Sequence, residues 1–200
     1  VFDTGQVLRG LIEYYKISKN ENILKNIQQC ADFILNSEVE KSGRFFTDNL
    51  AKNSITYIDN DTVNIYIAFP LAQASDILNK SHYKDLSKRI LNYTMKRQNK
   101  NGYFEKSDFY SNNNTLTHNI GYIVEGLIET SIYLNDFEIF DNVNVTLKKL
   151  CELIEKNDYL NSRYNKEWQP IGKEDCITGS AQIAISLLKS NKIKKNLNFE

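Results

Sequence analysis

Cysteine, histidine, tryptophan and net charge are all scarce in this sequence of 200 residues, and each scarcity removes a class of protein. Cys30, Cys151 and Cys176 are odd in number, far apart and without a CxxC pair. That pattern excludes a disulfide framework and a structural zinc site, and it fits a reducing, cytoplasmic setting. The 25 basic residues cancel the 25 acidic ones, so no global field exists to hold nucleic acid or to draw the chain onto an anionic membrane. No apolar run approaches the length of a membrane span. There is no phosphate loop, no Gly-x-Gly-x-x-Gly, no His-Glu-x-x-His and no Gly-x-Ser-x-Gly elbow, so neither a metal nor a cofactor is called for. The opening residues Val1-Phe2-Asp3-Thr4-Gly5-Gln6 have neither an initiator Met nor the basic-then-apolar order of a signal peptide. The chain is therefore expected to continue toward the N-terminus. The sequons at Asn92, Asn113 and Asn144 carry no weight in so Asn-rich a chain.

What is present is one domain's worth of apolar material, 41% hydrophobic and 12% aromatic, arranged as a repeat. Residues 3–13, DTGQVLRGLIE, align without a gap on residues 119–129, NIGYIVEGLIE, an offset of 116. Half of that offset places Thr4 on Thr62 and Ile120 on Thr178, so positions 4, 62, 120 and 178 are equivalent starts with a period of 58 residues. Each start opens a segment with small or apolar residues at helical spacing, such as Val7, Gly10, Leu11 and Tyr14. These segments are expected to form an inner layer, with neighbours approaching closely at Gly10, Ala68, Gly126 and Ala184. More polar, amphipathic helices are expected over about 21–36, 82–98 and 138–156 as an outer layer, for example with Ile23, Ile27, Cys30, Ala31 and Ile34 as the buried stripe. Asn/Lys/Asp/Ser-rich joints supply the turns between them. After each outer helix a turn at Gly43-Arg44-Phe45, Gly102-Tyr103-Phe104 or Tyr159-Leu160 leads into a long return loop, and long loops gathered at one end are a usual place for a site.

Hairpins of this size, with small apolar inner helices, an outer helix ending in Gln98-Asn99-Lys100-Asn101-Gly102-Tyr103-Phe104 and long return loops, resemble the α/α toroids. The likeness spans the whole chain, residues 1–200, as a single all-α domain holding three and a half hairpins of what would be an (α/α)6 barrel. Two branches of that superfamily compete. One comprises the six-hairpin carbohydrate-active barrels, meaning glycosidases, lyases and epimerases, and the other the terpenoid cyclases and prenyltransferases.

The resemblance implies that the inner helices begin where the long loops meet, which would ring Asp3, Asp61, His118 or Asn119, and Asp175 around one funnel. Helix N-termini there present free N–H groups to an anionic substrate. Asp3 with Gln6, and Asp61 with Asn64, read equally as helix N-caps. Sugar chemistry needs two carboxyl groups, or a carboxylate and an imidazole, facing one pocket. Asp61 and His118 are the expected acid–base set, with Glu125 and Asp175 as further candidates. Asp3, Gln6, Asp59, Tyr122, Trp168, Asp175 and Gln182 are expected to line the substrate site, Tyr122 and Trp168 as the aromatic platform for a sugar ring. Arg9 and Glu125 occupy equivalent repeat positions and, if both face inward, form a structural ion pair. The expected partner is a small-molecule or oligosaccharide substrate.

The competing branch has one specific hook. Asp59-Asn60-Asp61-Thr62 resembles the Asp-x-Asp-Asp motif of class II terpenoid cyclases, with Thr62 in place of the last Asp, and Tyr66, Phe69 and Tyr122 would supply aromatic faces for a carbocation. A zinc prenyltransferase fits less well, because Asp175 and Cys176 are adjacent and no His follows them. An open, non-catalytic solenoid would also stack helix pairs, but with a shorter period and short loops at both ends.

Overall fold

The computed structural model describes residues 1–45, 61–107 and 114–196. Among them the chain runs as helices α1 (Phe2–Ser18), α2 (Leu24–Asn36, preceded by the 3-10 turn Glu21–Ile23), α3 (Ala68–Leu78, preceded by the 3-10 segment Asp61–Ile67), α4 (Ser81–Met95), α5 (Thr117–Tyr133), α6 (Phe137–Asn157) and α7 (Ile177–Asn196). Helices α1, α3, α5 and α7 pack on one another as an inner layer, and α2, α4 and α6 each cover the inner helix that precedes them. The fold is the expected α/α toroid arc of helical hairpins.

The hairpin turns follow from local chemistry. Lys19 and Asn79 take the left-handed conformation that ends α1 and α3, and each returns its backbone N–H to the last turn. Asn20 caps the turn into α2, and Asp136 caps α6 through the backbone N–H of Ile139. Burial follows the expected stripe on α2, where Ile27, Ala31 and Ile34 are fully enclosed. One core runs through both layers, from Leu8 and Ile12 through Ile65, Leu71, Tyr83 and Ile90 to Val124, Leu127, Phe140 and Leu150.

Glycines set how closely the inner elements approach. A Cβ at Gly5 would lie 2.1 Å from the Ile67 side chain, one at Gly126 2.8 Å from the Tyr66 backbone, and one at Gly179 2.7 Å from the His118 backbone nitrogen. Such distances are below any real contact, so these faces demand glycine. Two of the four close-approach positions differ from expectation. Gly10 has nothing within 4 Å, and Ala184 lies on the exposed face of α7, which buries Gln182, Ile183, Ser186 and Ser190 instead.

Strands appear where only loops were expected. Glu38–Val39 (β1) pairs with Arg44–Phe45 (β2), and Asn114–Leu116 (β3), Asn161–Asn165 (β4) and Pro170–Asp175 (β5) form an antiparallel sheet in the order β3-β4-β5. The Gly-aromatic turns explain the first and second returns. Gly43 and Gly102 have positive φ, and a Cβ on them would strike the backbone of the next outer helix at Arg89 (2.3 Å) and Thr146 (2.9 Å). The aromatic residues that follow, Phe45, Tyr103 and Phe104, then enter the core. Each return turn thereby sets the spacing of successive outer helices, and all the return strands gather at the end where the inner elements begin. No described helix is long and apolar enough to cross a membrane.

Candidate functional site

Each inner element contributes a stripe of side chains to the interior of the arc, and their partners lie on other inner elements. On α5 the stripe is His118, Tyr122, Glu125 and Glu129, a helical spacing that keeps all four on one face. From α1 come Phe2 and Arg9, from the 3-10 segment and α3 come Tyr66 and Phe69, and from α7 come Gln182 and Lys189.

Nearest the return strands the wall is aromatic. The Tyr122 ring is the hub, with centroid distances of 4.2 Å to His118, 4.8 Å to Tyr66 and 5.0 Å to Phe2, all edge-to-face. Phe2 also stacks on Tyr66 at 6.0 Å. The four rings are half-buried and so keep part of their surface open. Burial lowers the pKa of His118, and its Nδ1 is enclosed with no hydrogen-bond partner among the described residues. An imidazole in that state is neutral at neutral pH and able to take a proton.

One to two helical turns deeper the floor is ionic. Lys189 Nζ donates to Glu125 at 2.7 Å and to Glu129 at 2.6 Å, and Arg9 Nη2 donates to Glu129 at 2.8 Å and lies 3.7 Å from Glu125. Gln182 Nε2 completes the shell of Glu125 at 3.3 Å. Arg9 is layered against the Tyr66 ring at 5.0 Å and the Phe69 ring at 5.8 Å, a cation–π arrangement. Burial pulls the pKa of both cations down, and the two carboxylates more than offset it, so Arg9 and Lys189 both titrate above their ordinary values. Burial also pushes Tyr66 up to about 12, with Arg9 opposing and Glu125 and Glu129 adding.

The expected site residues separate into groups. His118, Tyr122 and Gln182 fall in this interior, and Asp3, exposed one residue after Phe2, is close enough for its charge to raise the Tyr122 phenol, behind the larger effects of burial and Glu125. Gln6 is half-buried one turn further along α1. Asp175 ends β5 as an exposed residue of the rim. Asp61 is turned toward the return turn and the outer layer. It is 3% exposed, accepts the Tyr93 hydroxyl at 2.8 Å and lies 3.6 Å from Arg44 Nε. Its neighbour Thr62 donates to the Glu105 and Lys106 carbonyls, and Asn119, the repeat equivalent of Asp61, donates to the Ser107 carbonyl. Thr117 binds the Asn161 carbonyl in the same way. The polar residues at these starts thus anchor the return loops. Asp59 lies outside the described residues.

Trp168, the other ring of the expected platform, lies in the core beside the β4–β5 turn. It is 4% exposed, donates its indole N–H to the Asn101 carbonyl at 3.0 Å and packs edge-on against Tyr103 at 5.8 Å. It holds the β4–β5 turn in a left-handed conformation, with Asn165 accepting from the backbone of Glu167 and Gln169. Its ring faces are therefore spent on the core. The ring beside Tyr122 in the interior is that of Tyr66, which is half-buried. The ion pair expected between Arg9 and Glu125 is present in a larger form, since Glu129 takes the shorter bond and Lys189 joins both carboxylates. Glu125 and Glu129 stand four residues apart, a visible sign of a shared helix face. No periodicity marked Lys189, whose place depends on how α7 docks.

No family model matches the sequence, and no curated protein matches it. The folded chain does match solved structures. Glycoside hydrolase family 105 from C. acetobutylicum superimposes with a TM-score of 0.71 at 17% identity, over 93% of this chain and 56% of that one. The GH76 α-mannanase from Bacteroides thetaiotaomicron gives 0.66 at 15% identity, over 96% and 52%. A polysaccharide lyase gives 0.63 at 12%, over 93% and 52%. The chain thus spans about half the length of these structures. Its fold is that of the α/α toroids.

Proposed function

We propose that the protein is a carbohydrate-active enzyme that acts on a glycan or a uronic-acid-containing sugar by acid–base chemistry, as a hydrolase, lyase or epimerase. The observation that carries this reading is the pairing of an aromatic wall with a charged floor in one interior. Pyranose rings present C–H faces that pack on aromatic rings, and they present hydroxyls and carboxylates that need polar partners. Tyr122, Tyr66 and Phe2 supply the first, and Arg9, Glu125, Glu129, Lys189 and Gln182 supply the second. The names of the structural neighbours, two glycoside hydrolases and a polysaccharide lyase, support the same substrate class.

In this reading His118 moves the proton. It borders the wall through Tyr122 and is kept neutral by burial, which suits a general base. Asp61, the other half of the expected acid–base set, enters as the anchor that holds the return turn beside the mouth, because its carboxylate is engaged by Tyr93 and Arg44. Asp3, Gln6 and Asp175 at the rim are assigned to substrate contact. A terpenoid-cyclase-like reaction is the second reading, since aromatic faces also stabilise carbocations. Arg9 weighs against it, because this cation already lies over Tyr66 and Phe69.

The test is a thermal-shift screen of the full-length protein with uronic acids and short glycans in one panel and prenyl diphosphates with magnesium in another. A ligand that binds only the folded state raises the melting temperature by mass action. Sugars alone should stabilise the protein, and His118→Ala should abolish turnover with its melting temperature preserved. Stabilisation by diphosphates alone would overturn the carbohydrate reading, and sugar binding without turnover in any glycan assay would reduce it to a binding protein.

A further inference from the structure

The sequence contains a single Asn-Gly pair, Asn101-Gly102, and the fold places it in the return turn after α4. This pair is the least durable one in a polypeptide, because glycine has no Cβ to keep its nitrogen away from the asparagine side chain. The Gly102 nitrogen attacks Cγ of Asn101, the new C–N bond closes a cyclic imide, and the side-chain nitrogen leaves as ammonia with the Gly102 amide proton. Water then opens the imide, to aspartate or to isoaspartate with the backbone rerouted through the side chain.

Neither residue can be exchanged freely. Gly102 has a φ of 83°, and a Cβ on it would lie 2.9 Å from the Thr146 backbone. Asn101 uses both ends of its amide. Its Oδ1 accepts the Tyr103 backbone N–H at 3.1 Å, which closes the turn, and its Nδ2 donates to the Lys166 carbonyl at 2.8 Å. An aspartate could keep the first bond and must lose the second.

The same contacts oppose the reaction. Attack requires the Asn101 side chain to swing onto the Gly102 nitrogen, but the amide is tied at both ends and the Gly102 N–H donates to the Asn99 carbonyl at 2.9 Å. Two ties on Asn101 come from the β4–β5 turn. One is the Lys166 carbonyl, and the other is the indole N–H of Trp168, which donates to the Asn101 carbonyl at 3.0 Å. Asn101 is itself exposed, so water and base reach it, and protection rests on the docking of that turn.

We propose that Asn101-Gly102 is a conditional deamidation site, silent while the β4–β5 turn is docked on it and reactive when the turn lifts. The change is irreversible and reinforces itself, because a carboxylate at position 101 faces the Lys166 carbonyl without a donor and the turn redocks less well. The turn continues through β5 to Asp175 at the rim of the interior, so the reaction loosens that edge. The inference concerns the turn and holds whatever the substrate.

The test follows Asn101 by mass-spectrometric peptide mapping in mildly alkaline buffer, for the folded protein and for the same protein in concentrated urea. Folded protein should lose Asn101 at least about tenfold more slowly, a ratio set by the local opening of the turn. Trp168→Phe removes the indole N–H and keeps a ring, and should speed the loss in the folded protein by about fivefold. Hydrogen exchange gives a reading that needs no variant. Across sub-denaturing urea the loss should rise in step with exchange of the Trp168 backbone amide, which donates to the Asn165 carbonyl at 2.9 Å. These results together support the proposal. Equal rates in folded and unfolded protein, an unchanged rate in folded Trp168→Phe, or loss that does not follow Trp168 exchange overturns it.

Discussion

Replacing Lys189 with Met tests whether the ionic floor is held as a unit. In the folded protein Lys189 donates to both Glu125 and Glu129, whose side chains are 8% and 12% exposed, while Lys189 itself is 35% exposed. Met fills a similar volume but leaves two enclosed carboxylates, four residues apart, with Arg9 as their remaining cation at 3.7 and 2.8 Å. Stranding a fully buried ion by removing its partner costs about 3–5 kcal/mol. Water reaches Lys189, so we expect roughly half of that, about 2 kcal/mol. For a chain of this size the melting temperature should fall by about 4–8 °C. Chemical denaturation of wild type, Lys189→Met, Glu129→Gln and the double variant closes a thermodynamic cycle, with an expected coupling of about 1–2 kcal/mol. The sign with pH follows from the raised Lys189 pKa. On the alkaline side its contribution is present up to 10.5 and is lost as pH rises through the higher folded-state value, so with both carboxylates ionised wild type should keep its advantage over Lys189→Met up to pH 10.5 and lose it above. A single variant within about 0.5 kcal/mol of wild type, or no coupling, would refute the idea that these groups are interdependent.

The lowered pKa of His118 predicts that, of the two histidines, His118 titrates below 6.5 in an NMR pH series; its contribution to stability is present above 6.5 and disappears as pH falls through the folded value. A His118 midpoint above 6.5 would contradict the burial account. Gly43→Ala should cost about 2–4 kcal/mol by denaturant midpoint, because the residue has a φ of 78° and a Cβ would meet the Arg89 carbonyl at 2.3 Å; a neutral outcome would mean the turn does not rest on α4. Trp168→Ala should cost about 3–5 kcal/mol as a core deletion. If instead stability holds and only sugar affinity falls, Trp168 is a platform after all.

How much could be read before folding differs residue by residue. Gly126 was legible as a small position, since a helix that must touch another at short range cannot carry a side chain there, yet the neighbour that it touches was not, and its repeat partner Gly10 meets nothing within 4 Å. His118 and Tyr122 were legible because they open and continue one inner segment on one face, and folding sets them ring to ring. Asp61 was legible only as a polar start; whether its carboxylate turns to the interior or to Tyr93 depends on a side-chain rotamer that the return turn selects. The burial of Trp168 was not legible, because the β4–β5 pairing that encloses it joins segments across a register that no local pattern encodes. Lys189 reaches α5 from 60 and 64 residues away.

The sequence by itself determined the period, the two-layer hairpins and the chain reversals, because helical spacing and capping act over a few residues. Only the tertiary structure decided which charges meet, which aromatic rings stay open and which acid is engaged. Those outcomes depend on distances between elements about one repeat or more apart, and electrostatic and packing energies change steeply over a few ångströms.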